Sequence, residues 1–193
     1  MKKTVLFGIL GLAATMATSY GQGYISLDNY SAFAGGGGNG LILNGGTGIT
    51  GGFTVGLYFA VGNVVGDATS GNGLVSGNLG LGTGAGSTAP FNGAGTPGLF
   101  VAPVYFQGVA SSTASLLTVE VIAYDGSTYA NSLTRGHSSA FNITTAFGTG
   151  FVPSVGDVMT TFSVSPVSVP EPTTLALAGL GLASLVAFRR KHS

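Results

Sequence analysis

The chain has 193 residues, enough for one domain with processing segments, and only 6% of them are charged against the roughly 25% of ordinary globular proteins. Its 35 glycines argue against long helices, since each interior glycine costs a helix about 1 kcal/mol relative to alanine, and the absence of cysteine excludes disulfides, thiolate zinc sites and thiol nucleophiles together. The formal net charge is zero, but residues 22–168 hold Asp28, Asp67, Glu120, Asp125 and Asp157 against Arg135 alone, a balance of −4 that excludes a phosphate-tracking nucleic-acid surface.

The N-terminus, Met1-Lys2-Lys3 followed by TVLFGILGLAATMA, has the positive start and short apolar run of a secretory signal peptide. Small residues at Ser19 and Gly21 predict cleavage by signal peptidase between Gly21 and Gln22, with cleavage after Ser19 as the alternative. The apolar run is shorter than the roughly 20 residues of a membrane span. Residues 1–21 are therefore expected to be a helical leader that is removed.

Residues 22–168 then read as a chain of short strands. YISLDN (24–29) opens the series, and FTVGLYFA (53–60) alternates, with Phe53, Val55, Leu57 and Phe59 on one side. Between and after these, residues 35–98 are glycine-rich. Either they form linker or they form tight loops on a β scaffold; Leu41, Ile42, Leu43, Phe53, Leu57 and Phe59 interrupt them and favour loops. FVAPVYFQ near Phe100 contains Pro103, which marks an edge or a bulge. LLTVEVIAYDG alternates most clearly: Leu117, Val119, Val121 and Ala123 share one face, Thr118, Glu120 and Tyr124 the other, and Asp125-Gly126 ends the run. SSAFNIT near Phe141 and DVMTTFSV near Phe162 complete the set. Short strands, glycine turns and no helical period predict an all-β fold, an antiparallel sandwich-like domain with Gly-rich loops.

After this domain, residues 173–188 carry no charge. As a helix they span about 24 Å against a hydrocarbon core near 30 Å, a marginal transmembrane helix. Arg189, Arg190 and Lys191 follow and should stay cytoplasmic, as should Lys2 and Lys3, so the intervening domain faces outward. Pro170 and Pro172 keep the stretch before the helix extended and open to a protease or transpeptidase.

Val169-Pro170-Glu171-Pro172, the apolar 173–188 segment and the terminal Arg-Arg-Lys together resemble the PEP-CTERM sorting signal. The resemblance covers residues 169–193. It implies a Gram-negative host that makes extracellular polysaccharide, and a precursor held in the inner membrane until a membrane enzyme, exosortase, removes the tail. A permanent tail anchor is the alternative reading. More loosely, Gln22-Gly23, Asp28-Asn29, the run from Thr118 to Thr144 and Val155-Gly156-Asp157 are similar to a recurring layout among exported proteins with this signal, which implies a β-rich domain and no catalytic residue.

Chemical groups are sparse in the middle of the chain. Ser138, His137 and Asp125 supply the residue types of a nucleophilic triad, but adjacent strand residues point to opposite faces, and TRGHSS reads as a solvated turn entering a strand. One histidine between residues 22 and 168 is too few for an ordinary zinc site, and Asp67 or Asp125 with nearby carbonyls offers calcium only one carboxylate per loop. No catalytic residue, metal or cofactor is expected. Tyr124 and Tyr129 are candidate glycan contacts, weakened by the absence of tryptophan. The expected role is a non-enzymatic surface or matrix protein associated with exopolysaccharide or biofilm, with a carbohydrate-binding module or adhesin as the alternative.

Overall fold

The computed structural model describes residues 23–30, 40–93, 95–109, 113–147 and 151–168. The leader at 1–21 with Gly21 and Gln22, the glycine run at 35–38, Val169 to Pro172, the 173–188 segment and Arg189 to Lys191 lie outside them. Among the described residues no helix is long and apolar enough to cross a membrane.

The described residues are mostly β-sheet, consistent with the all-β fold that the alternation predicts. The longest strands are β4 (Thr54–Val61) and β8 (Leu116–Tyr124). They pair antiparallel over eight residues, from Thr54 opposite Tyr124 to Val61 opposite Leu117. Shorter strands extend this pair: β2 (Ile42–Asn44), β3 (Thr47–Gly48), β5 (Gly80–Leu81), β6 (Thr88–Pro90), β9 (Thr134–His137), β10 (Phe141–Thr144) and β11 (Phe162–Pro166). They form one nine-stranded sheet in the order β3-β2-β11-β9-β8-β4-β5, with β10 also on β8 and β6 also on β4. The pairing is antiparallel except between β11 and β2, which run parallel. A separate two-stranded sheet joins β1 (Gly23–Ile25) to β7 (Phe106–Val109).

The small sheet covers one face of the large one. Phe106 of β7 meets Phe59 of β4 edge-on at 5.2 Å, and Gly108 lies so close to Leu117 of β8 that a Cβ there would fall 2.5 Å from the leucine Cδ1. Ile25, Leu27, Phe100 and Phe106 from this layer, Val55, Leu57, Leu117, Val119 and Val121 from the central strands, and Phe162 and Val164 from β11 make one core. Phe53 and Phe59 flank it half-buried, as the alternation of that strand predicts. Two runs are shorter as strands than they read: around Pro103 pairing lapses between a bridge at Val101 and β7, and DVMTTFSV becomes strand only at Phe162, its Asp157 ending a 3₁₀ turn (Val155–Asp157) capped by Ser154.

Asn29 fastens the start of the domain. It is fully buried, and its amide donates to the carbonyls of Gly40 (2.7 Å) and Gly98 (3.0 Å) while its side-chain oxygen accepts from Phe100 N (2.7 Å). Replacing it with alanine removes three hydrogen bonds, each worth about 1 kcal/mol net, and strands the Gly40 carbonyl and Phe100 N, while the Gly98 carbonyl still accepts from Ile42 N. Asn29→Ala should therefore lower unfolding stability by roughly 3 kcal/mol in a urea titration, whereas exposed Asn92→Ala should leave the midpoint within about 0.5 kcal/mol of wild type.

Candidate functional site

Strand β8 is buried on both faces, which its alternation does not show. Leu117, Val119, Val121 and Ala123 are 0% exposed on the core side, but Thr118, Glu120 and Ile122 on the other side are at most 2% exposed. The cover is the loop of residues 62–79 between β4 and β5. Val64 N donates to Thr118 Oγ1, Asp67 N donates to Glu120 Oε1 at 2.6 Å, and Gly71 exchanges both backbone hydrogen bonds with His137. Gly66 permits this approach: a Cβ there would lie 2.5 Å from Glu120 Oε1 and 2.6 Å from Ala140 Cβ.

A change of register creates room beneath the loop. β9 and β10 lie along the same edge of β8, but their pairings are out of step, so residues 138–140 face only Glu120 and Val121. One residue is in excess there, the arrangement of a β-bulge, which commonly re-aims side chains beside functional sites. Ser138 takes up the slack by accepting from Val121 N through its hydroxyl at 3.0 Å, and Ala140 N turns away to the carbonyl of Asp67.

The result is a cluster of Asp67, Glu120 and His137, with one potential ligand atom from each lying within 4.8 Å of the others. His137 Nδ1 is 3.5 Å from Glu120 Oε2 and 2.9 Å from the carbonyl of Ser138. Since a carbonyl only accepts, Nδ1 carries the ring proton in this arrangement. Glu120 Oε2 is fully buried and receives no hydrogen bond. Asp67 is half-buried, and one of its carboxylate oxygens accepts from Ser76 N at 2.9 Å. Burial raises the Glu120 carboxyl to about pKa 7; the hydrogen bond from Asp67 N acts against this, and the neighbouring Asp67 carboxylate adds to the rise.

Beside the cluster lies an aromatic group. Tyr129 is 3% exposed, meets Tyr58 and Tyr124 edge-on at 6.2 and 6.1 Å, and donates its hydroxyl to the carbonyl of Gly73. Arg135 lies over its ring at 5.2 Å and donates to the carbonyls of Asn72, Tyr129 and Ala130. Burial raises the phenol pKa of both Tyr129 and Tyr124 above the usual tyrosine value, which keeps them neutral.

Two expectations change. TRGHSS is not a solvated turn: Thr134–His137 is β9, and Arg135, His137 and Ser138 are buried between β8 and the covering loop. Tyr129 offers no ring face to a sugar, because Arg135 and two tyrosines surround it, and Tyr124 is half-buried at its edge. The acid beside His137 is Glu120, not Asp125, which instead accepts from Thr134 N at the strand end. The cluster is not legible in the sequence because its members are far apart along the chain. Glu120 in an otherwise apolar or hydroxylated strand was the available signal.

The profile of the PEP-CTERM protein-sorting motif matches residues 168–191. No curated protein and no solved structure matches the chain. The motif implies a membrane-anchored precursor, processing by an exosortase membrane enzyme and export to the cell surface.

The buried carboxyl sets a pH dependence. In the folded chain Glu120 keeps its proton up to about pH 7, whereas unfolded it releases it near its ordinary 4.5, so between these values the native state binds more protons. In chelator-treated protein, its stabilising contribution should be complete below about pH 4.5 and lost as the pH rises through 7, by at most ~3 kcal/mol. Urea midpoints at either end of this range should fall for wild type and stay nearly level for Glu120→Gln.

Proposed function

We propose that a chain carrying this sorting motif is a non-enzymatic surface or matrix protein of a Gram-negative bacterium, held in the inner membrane until exosortase cuts it and then associated with exopolysaccharide. The single observation that carries the proposal is the motif at residues 168–191. The domain before it suits such a role in two respects. We read its two layers as a sandwich-like scaffold. It also has one basic residue, Arg135, and that residue is buried, so the folded surface is acidic and soluble without being adhesive to nucleic acid.

A second reading, glycan binding, is favoured by a groove away from Tyr124 and Tyr129. A cleft of about 590 Å³ is lined by Asp28, Tyr30, Val104 and Tyr105, and a neighbouring one by Tyr24, Tyr105 and Gln107. Tyr105 is 57% exposed and forms the wall between them, a ring with a polar tip available for stacking on a sugar. Binding of host polysaccharide that Tyr105→Ala abolishes would favour this reading over a passive structural role.

Processing gives the direct test. Mass analysis of the protein from its host should find neither residues 1–21 nor the segment beyond Pro172. An intact C-terminus on surface-located protein would overturn sorting and leave a permanent anchor.

Two sets of replacements should act at different steps. Changing Arg189, Arg190 and Lys191 to serine removes the cytoplasmic stop, so uncut precursor should slip into the periplasm. Changing Pro170 and Pro172 to alanine lets helix extend through the cleavage region, so uncut precursor should accumulate in membranes. Fractionation and blotting for an internal tag would distinguish them, and identical distributions for wild type and both variants would count against a sorting role for the tail.

A further inference from the structure

We propose that Asp67, Glu120 and His137 form a binding site for one divalent transition cation, of the kind that takes mixed carboxylate and imidazole ligands, such as Zn²⁺ or Mn²⁺. The three donors come from three separate elements, the covering loop, β8 and β9, and converge to within 4.8 Å. Convergence alone would suit a polar network. The second observation is Glu120 Oε2, which is fully buried, faces His137 Nδ1 at 3.5 Å, and has no hydrogen bond although Oε1 of the same carboxyl accepts from Asp67 N. An acceptor left open in so dry a place points at a positive group that belongs between it and the imidazole.

The donor set selects the cation. Calcium takes six to eight oxygens, and here only two carboxylates converge, whereas imidazole with carboxylates suits zinc and manganese. Ligand bonds to zinc are about 2.0–2.2 Å, so two ligands on one ion lie roughly 3–4 Å apart. The Glu120–His137 separation of 3.5 Å already meets this. Asp67, on a loop and half-buried, is the residue that can close the remaining distance. Coordination through Nδ1 moves the ring proton to Nε2, which faces Gly71, where there is no side chain to obstruct it. The Ser138 carbonyl, 2.9 Å from Nδ1, is the nearest further oxygen.

The competing occupant is a proton held between the Asp67 and Glu120 carboxyls. The two are separated by titrating the full chain, purified in mild detergent without a polyhistidine tag and stripped with EDTA, against Zn²⁺, Mn²⁺, Co²⁺ and Ca²⁺. Calorimetry should give one Zn²⁺ per chain, Zn²⁺ should raise the unfolding temperature, and Co²⁺ should develop visible ligand-field absorption; Ca²⁺ should bind more weakly. Asp67→Asn and His137→Ala should each weaken Zn²⁺ binding by at least about tenfold and remove the Co²⁺ band. His192→Ala, in the basic tail, should change neither. Asp67→Asn is near-isosteric and half-buried, so it decides the matter if His137→Ala fails to fold. Wild-type protein that is folded by circular dichroism yet shows no saturable binding, or binding that Asp67→Asn leaves unchanged, would overturn the proposal and leave the cluster holding a proton.

Discussion

The eight-residue ladder between β4 and β8 is the constraint from which the rest of the domain follows. Most other strands are two to five residues long, too short to hold a register alone. β4 and β8 supply a straight, β-branched and aliphatic frame, and the short strands find their places along its edges. Because the side-chain period is two, fixing this one register also fixes which residues enter the core and which meet the covering loop. A slip of one residue would exchange Val119 and Val121 for Glu120 in the core.

That frame explains what the sequence made legible. Alternation located β4 and β8 and gave the core face correctly, because Val55, Leu57, Val119 and Val121 differ sharply from their neighbours. It could not reveal that the opposite face is covered as well. Thr118, Glu120 and Tyr124 look like a wet face, but residues 62–79 fold back over Thr118 and Glu120, and Tyr129 meets Tyr124. Two of that loop's larger apolar residues, Val65 and Leu74, are exposed, while Leu79 is buried. The loop is held by backbone hydrogen bonds to Thr118, Glu120 and His137, an interaction between distant segments that no local pattern encodes. TRGHSS misled for the same reason: polar and glycine-containing, it reads as a turn, yet its backbone completes the sheet and its side chains satisfy the covering loop.

Glycine serves the packing here as much as the turns. Gly66 lies against the Glu120 carboxyl, Gly108 lies on Leu117, and Gly136 in β9 packs against the backbone of Ser163 in β11. In each place another segment occupies the volume a side chain would need. A composition suggesting disorder is thus compatible with an ordered fold, because the absent side chains allow loops and strands to approach closely enough for backbone pairing to replace apolar contact.

This arrangement leaves the covering loop as the weak element. A protein exported to the cell surface without cysteine has no disulfide with which to tie a loop to a sheet, and its hydrogen bonds to the frame are individually modest. A cation joining Asp67 to Glu120 and His137 would bridge the loop to β8 and β9 at one point and close the long chain segment between Asp67 and Glu120. The stabilisation would come as a disulfide's does in the chain-entropy view, from restricting the unfolded chain, with the added gain of a positive charge beside a buried carboxylate. The placement of the cluster under the loop, at the bulge and beside the longest ladder, is where such a tie would have most effect, since releasing the loop would expose Glu120 and Thr118 together.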